Sequence, residues 1–269
     1  MTNPGIVPAI AAVLLILSTS ADSRQAPKES HGLERLPRDL EVQLALSALP
    51  PHLRDAATVY VLDPHKGFEI ARKGTNGFHA IVARTGDDAM QGSWPLTTYP
   101  DDILYPISFD EAGAKTNLRV FLDIADMQSK GTPPQELKRL VQQRYKTGYY
   151  QPPARAGVSY MLSPILRTYV NPDHMDKIAT VNFPHVMYYV PNVSAKDVGA
   201  ATPTPEQLRD FDQHGRWLDS PYPLLIHHGP HAYMVQARGA QESESITNGY
   251  RQMLAELCTL KKVWCLPTQ

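Results

Sequence analysis

The sequence predicts an α+β domain in which helices pack on one side of an antiparallel sheet, and three observations carry that expectation. Short β-branched and aromatic runs alternate with turn signals, two amphipathic helical stretches occupy the middle of the chain, and residues 224–237 carry the pattern of a late hairpin. The 24 prolines among 269 residues stand well above the usual share of about 5%. They add rigid turns and disfavour long helices.

In chain order, residues 38–48 (RDLEVQLALSA) place Leu40, Leu44 and Ser47 on one helical face, and Pro50 with Pro51 ends that helix. The sheet begins at residues 58–62 (TVYVL), meets the turn signal DPHKG at 63–67 and returns through 68–72. The GTNG stretch at 74–77 then turns the chain into 78–83 (FHAIVA), which predicts a three-stranded antiparallel meander. Residues 86–106 are broken by Pro95, Pro100 and Pro106 and read as a long surface excursion. A helix follows over 117–127. A second opens at Thr132 and Pro133, with Leu137, Leu140, Val141 and Tyr145 at helical spacing, Gln135 completing a capping box and Gly148 as the stop. Residues 157–163 read as a strand, and so do 181–190, with Pro184 restricted to an edge or bulge. Residues 191–220 are loop-like, with a short helix opening at 204–207. After the hairpin, Ile246, Tyr250, Met253, Leu254 and Leu257 form the apolar face of a C-terminal helix.

Residues 6–17 are a 12-residue apolar run, shorter than the roughly 20 that span a bilayer, followed by small polar residues. The expected organisation is a signal peptide over 1–21, a mobile leader over 22–37, one α+β domain over 38–238, and an amphipathic helix and tail over 239–269. The mature protein is then periplasmic or secreted, with no stable membrane span after cleavage. Cys258 and Cys265, seven positions apart in an exported chain, read as a disulfide. With 26 basic against 27 acidic residues, no global field draws nucleic acid, so the expected partner is a small molecule. The oligomeric state is not written in the sequence.

G-x-G-x-x-G, P-loop, H-E-x-x-H and G-x-S-x-G signatures are all absent, which disfavours nucleotide binding and a standard α/β-hydrolase. The nearest approach to a nucleophile elbow is GVSYM at 157–161, where Met161 replaces the second glycine. Ser159 is thus a candidate nucleophile, against the plainer reading of a buried strand serine. His227, His228 and His231 form the densest cluster. If Gly229 and Pro230 make the turn, His228 and His231 become cross-strand neighbours about 5 Å apart, with His227 on the other face. His185 is the expected third ligand of a divalent metal, and His79, in mid-strand, a further one. Zinc is favoured, with calcium or manganese as alternatives. A zinc-bound water of pKa about 7 attacks an ester or lactone carbonyl. The competing reading makes these solvated turn histidines. Tyr145, Tyr149, Tyr150, Tyr160, Tyr169, Tyr188 and Tyr189 lie between the central helix and the late strands, where they would line a pocket for an apolar or sugar-like ligand. Tyr188 joins Ser159 as a candidate catalytic side chain. The acidic pairs Asp87-Asp88, Asp101-Asp102 and Asp110-Glu111 lack EF-hand spacing and read as solvated surface.

The segments KGTNGF at 73–78, SYMLS at 159–163 and PHVMYY at 184–189 resemble those of a group of uncharacterised exported bacterial proteins. The resemblance covers residues 38–238. It implies export and carries no established activity, cofactor or catalytic residue.

Three functions follow as expectations. The first is an exported hydrolase of a small ester or lactone, using a metal held by His185, His228 and His231. The second is a non-catalytic exported binding or envelope protein with a tyrosine-rich pocket. The third is a structural protein that docks through residues 239–269, whose removal would leave a folded monomer.

Overall fold

The computed structural model describes residues 32–85, 96–169, 178–200, 223–226 and 229–267. The expected signal peptide, the acidic pair Asp87-Asp88, the short helix at 204–207, and His227 and His228 lie outside these residues. The architecture is α+β, with mostly antiparallel sheets and helices packed alongside. None of the described helices is long and apolar enough to cross a membrane.

Helix α1 (Arg38–Ser47) buries Leu40, Leu44 and Ala45. Pro51 starts a further short helix, α2 (Pro51–Arg54), because a proline at the first helical position forfeits no hydrogen bond. Strands β1 (Thr58–Asp63) and β2 (Gly67–Arg72) form the expected hairpin, with Gly67 at φ 82° in its turn. Strand β3 (His79–Ala83) departs from the predicted meander. It pairs parallel with β1 on the side away from β2, Thr58 opposite His79. The GTNG stretch is therefore a crossover. Thr75 and Asn76 donate their N–H groups to the Ala56 carbonyl at 2.7 and 3.1 Å, and the Asn76 side chain donates to Leu53 O at 2.8 Å. A Cβ at Gly74 would collide with the backbone of Ala57, so only glycine lets the chain pass under the start of β1.

Strand β4 (Tyr105–Phe109) completes a sheet of order β2-β1-β3-β4, and all five of its residues are buried. The sequence placed this region in the surface excursion because of Pro106. The Leu104 and Asp110 N–H groups point away from β3, toward Arg167 and Val158. Alternation puts the Pro106 nitrogen on that same side, so no bond to β3 is lost.

Helix α3 (Glu111–Lys115) leads into α4 (Asn117–Ser129) and α5 (Pro134–Lys146). Pro133 is the N-cap of α5 and makes no side-chain cap, so the expected Thr132–Gln135 capping box is not formed. Helices cover both faces of the first sheet, which corrects the one-sided packing expected. Val59, Ala80 and Val82 join Leu40 and Leu44 of α1 in one cluster, whereas Ile81, Ile107 and Phe109 join Leu118 and Phe121 of α4 and Leu137 and Val141 of α5 in the other.

The second sheet has the order β5-β8-β10-β9 and is antiparallel throughout: β5 (Gly157–Met161), β8 (His185–Tyr189), β10 (Tyr233–Ala237) and β9 (Leu224–Ile226). Between β5 and β8 in sequence, β6 (Leu166–Tyr169) and β7 (Ile178–Val181) pair as a separate ribbon. The short helix α6 (Ala195–Val198) follows β8. Met161, Met187, Leu224 and Val235 face the same core as α4 and α5.

The two sheets meet edge to edge. Ser108 Oγ donates to Tyr160 O at 3.0 Å and accepts from Tyr160 N at 3.2 Å, while Asp110 N donates to Val158 O and Val158 N donates to Asp110 Oδ2 at 3.2 Å.

Both ends of the described chain belong to the core. Leu33 and Leu36 are buried, so the described residues 32–37 do not behave as part of the mobile leader expected over 22–37. The single C-terminal helix is two, α7 (Ala240–Gly249) and α8 (Arg251–Leu260), and Met253, Leu257 and Trp264 pack fully buried against α1. The Cys258–Cys265 disulfide closes the loop that carries Trp264. Removing residues 239–269 would uncover the apolar face of α1, so the truncated monomer of the third expectation is expected to lose stability.

Because Ser108 stands in for a missing pair of ladder bonds, Ser108→Ala strands a buried N–H and a buried C=O. The expected loss is about 1–3 kcal/mol of unfolding free energy by urea denaturation, and an unchanged midpoint would show that the seam does not depend on the hydroxyl.

Candidate functional site

The structure does not bring His79, His185 and His231 together. His185 opens β8 and is buried. Its Nδ1–H donates to Phe183 O at 2.7 Å, and its ring stacks on Phe183 with centroids 4.5 Å apart. Burial drives its pKa down to about 4, against the opposing pull of the Phe183 carbonyl. His231 ends the short 3-10 turn Gly229–His231 and meets the Tyr145 ring edge-on at 4.9 Å. Register pairs His185 with Ala237 and Tyr189 with Tyr233. His185 is therefore four strand steps, about 14 Å, beyond the start of β10, and His231 precedes that start. His79 lies in the first sheet, where its Nδ1 is 3.1 Å from Tyr60 Oη and burial lowers its pKa. Among the described residues no group of three His, Cys, Asp or Glu side chains is placed to hold a metal.

Ser159 and Tyr188 lie on opposite faces of the second sheet. Ser159 is buried, with its Oγ 2.6 Å from Tyr189 Oη, and no described histidine bonds to it. Tyr189 cannot serve as its base, because burial raises the phenol pKa far above neutrality. The hydroxyl pair sits where the backbone is bare, since a Cβ at Gly113 would collide with the Tyr189 ring. Tyr188 is 40% exposed and stands in a cross-strand row with Leu225, Met234 and Val158. The described acidic pairs serve the fold: Asp102 pairs with Arg167, and Asp110 caps α3 by accepting from Gly113 N at 2.8 Å.

The seven tyrosines do not share one pocket. Tyr160 packs beside Phe78 on the outer face, and Tyr189 is interior. Tyr145, Tyr149 and Tyr150 do converge, with Arg119, Asp123, Arg144 and His231. Gly148, at φ 70°, turns the chain back on the end of α5, so that the Tyr149 and Tyr150 N–H groups both donate to Arg144 O. Tyr150 falls inside, edge-on to Tyr145 at 5.0 Å and to Tyr149 at 5.3 Å. Burial pushes the Tyr150 hydroxyl up to about 12, so it stays protonated. Tyr149 remains 43% exposed. The Arg119 and Arg144 guanidinium carbons lie 4.3 and 4.9 Å from its ring centroid. Arg119 Nη2 donates to Tyr149 Oη at 2.5 Å, whereas Arg144 Nη1 donates to Asp123 Oδ2 at 2.7 Å and Tyr150 Oη at 3.2 Å.

This aromatic and cationic surface, drawn from two core-anchored helices and a tight turn, can bind a small molecule by stacking and by charge. Comparison with protein-family models, curated proteins and solved structures found no match. The chemistry of the cluster is thus the guide to its use. Sequence reading found its tyrosines and His231 but missed both arginines, which look like ordinary solvent-facing helix residues until α4 and α5 are laid side by side.

His185 provides a pH test. Its pKa is about 6.5 in an unfolded chain and about 4 in the fold, so between those values the unfolded chain binds a proton that the native protein does not. Stability is full above pH 6.5 and falls as pH drops toward 4, by about 3 kcal/mol in all. Urea titrations at several pH values should show this slope in the wild type and a flatter one in His185→Asn. Equal slopes would refute the assignment.

Proposed function

We propose that this chain is a non-catalytic exported binding protein that holds a small ligand at the cluster of Arg119, Arg144, Tyr145, Tyr149, Tyr150 and His231. The observation that carries the reading is the half-exposed Tyr149 ring held between interlocked partners. Tyrosines offer large contact area with few rotatable bonds, and these are set in place by Gly148 and by edge-on ring packing. Support for binding over ester or lactone hydrolysis comes from the other candidates: Ser159 is taken up by Tyr189, Tyr188 faces away from it, and His185 and His231 stand at opposite ends of β10. Export is supported by the Cys258–Cys265 disulfide, a cross-link that persists in oxidising compartments.

A ligand-observed NMR screen of small aromatic and apolar compounds against the full chain tests this. Hits should weaken by about tenfold or more in Tyr149→Ala, with the melting curve unchanged. An empty screen, or hits indifferent to Tyr149, would overturn the reading. Elemental analysis of the same preparation should find no stoichiometric zinc, manganese or calcium. One equivalent, lost in a His228→Ala/His231→Ala double variant, would instead favour the metal-assisted hydrolase.

A further inference from the structure

Resting on that reading of the cluster as a ligand site, we infer that the ligand carries an oxyanion, a carboxylate or phosphate group, and that Arg119 selects it. The inference begins with an unbalanced charge count. Arg119 and Arg144 both lie against Tyr149, yet one carboxylate, Asp123, accompanies them. On a helix, Asp123 is the default i,i+4 partner of Arg119. Here it turns to Arg144 on the neighbouring helix, 2.7 Å away. In the preceding helix, α3, Lys115 pairs with Glu111 at 2.7 Å. Arg119 is exposed, and among the described residues it contacts only Tyr149 and no carboxylate.

The geometry suits an anion. A guanidinium has five N–H donors in a flat fork that matches the two oxygens of a carboxylate or phosphate. One donor of Arg119 is used on Tyr149 Oη, and the guanidinium carbon lies 4.3 Å from the centroid of the same ring, so the group is held at the ring with its other donors unused before a ligand arrives. Two cations held on one ring also repel each other, and an oxyanion beside Arg119 relieves that repulsion. The tyrosines would then contact the apolar body of the same molecule.

Three probes of similar size decide the matter: benzoate, phenyl phosphate and benzyl alcohol, titrated against the full chain at low salt by NMR. At least one of the two anions should bind about tenfold more tightly than the alcohol. That preference, read as the ratio of anion to alcohol affinity within each protein, should vanish in Arg119→Gln, and the ranking of benzoate against phenyl phosphate identifies the oxyanion. Equal binding of all three probes, or a preference that survives Arg119→Gln, overturns the oxyanion inference and leaves the binding site standing. If none of the three binds, both are overturned.

Discussion

The seam between β4 and β5 is the interaction on which the arrangement depends. Two sheet edges that meet inside a protein bury backbone groups that must be paired, and an unpaired one costs about as much as a lost hydrogen bond. Ser108 resolves this by using one hydroxyl as both donor and acceptor to Tyr160, and Asp110 extends the pairing to Val158. Asp110 also caps α3, so the carboxylate that closes the seam sets where the helical layer begins. Gly157 and Gly113 keep this corner thin, since a side chain at either would strike Asp110 or Tyr189.

A second set of polar contacts ties the chain ends to that frame. Arg84, at the end of β3, donates to Glu41 of α1 at 2.8 Å and to the Glu34 backbone at 3.0 Å, and both side chains of the pair are buried. Burial raises the Glu41 carboxyl pKa, and Arg84 and the Leu62 N–H pull it back. A buried pair of this kind adds less to stability than its Coulomb attraction suggests, but losing either partner leaves a stranded charge. At the other end, Lys261 reaches Glu34 and Asp101, and the Trp264 indole donates to Asp102 O at 2.7 Å. The disulfide loop thus clasps the segment before α1 to the approach to β4.

What was legible in the sequence is what local rules decide. The spacing of Leu40 and Leu44, the DPHKG turn, the late hairpin and the cysteine pair each read correctly because neighbours in sequence are the partners. The partner of β3 was not legible. GTNG serves equally as a hairpin turn or a crossover, and bonds to Ala56 and Leu53, some 20 residues earlier, make the choice. Strand β4 was hidden because Pro106 reads as a breaker until it is known which way its nitrogen points. For the candidate site the difficulty was register. Histidine density says nothing of which end of a strand each residue occupies, and His185 and His231 proved to be separated by the length of β10. Arg119 and Arg144 gave no signal, since nothing local shows that α4 and α5 share a tyrosine.

The cluster sits on the surface, yet its parts are not free to move independently. Helices α4 and α5 are anchored by Leu118, Phe121, Leu137 and Val141 in the main core, and Tyr150 is wedged between Tyr145 and Tyr149. Immobilising a rotamer-rich side chain on binding costs about 0.5–1.5 kcal/mol. Arginines lying on a ring, one of them also held by Asp123 and Tyr150, have met much of that cost during folding. An ordinary exposed arginine would meet it on each encounter with a ligand. The packing that fixes Tyr149 and the charge left over on Arg119 thus act together, the first reducing the entropy lost on binding and the second giving the bound group its sign.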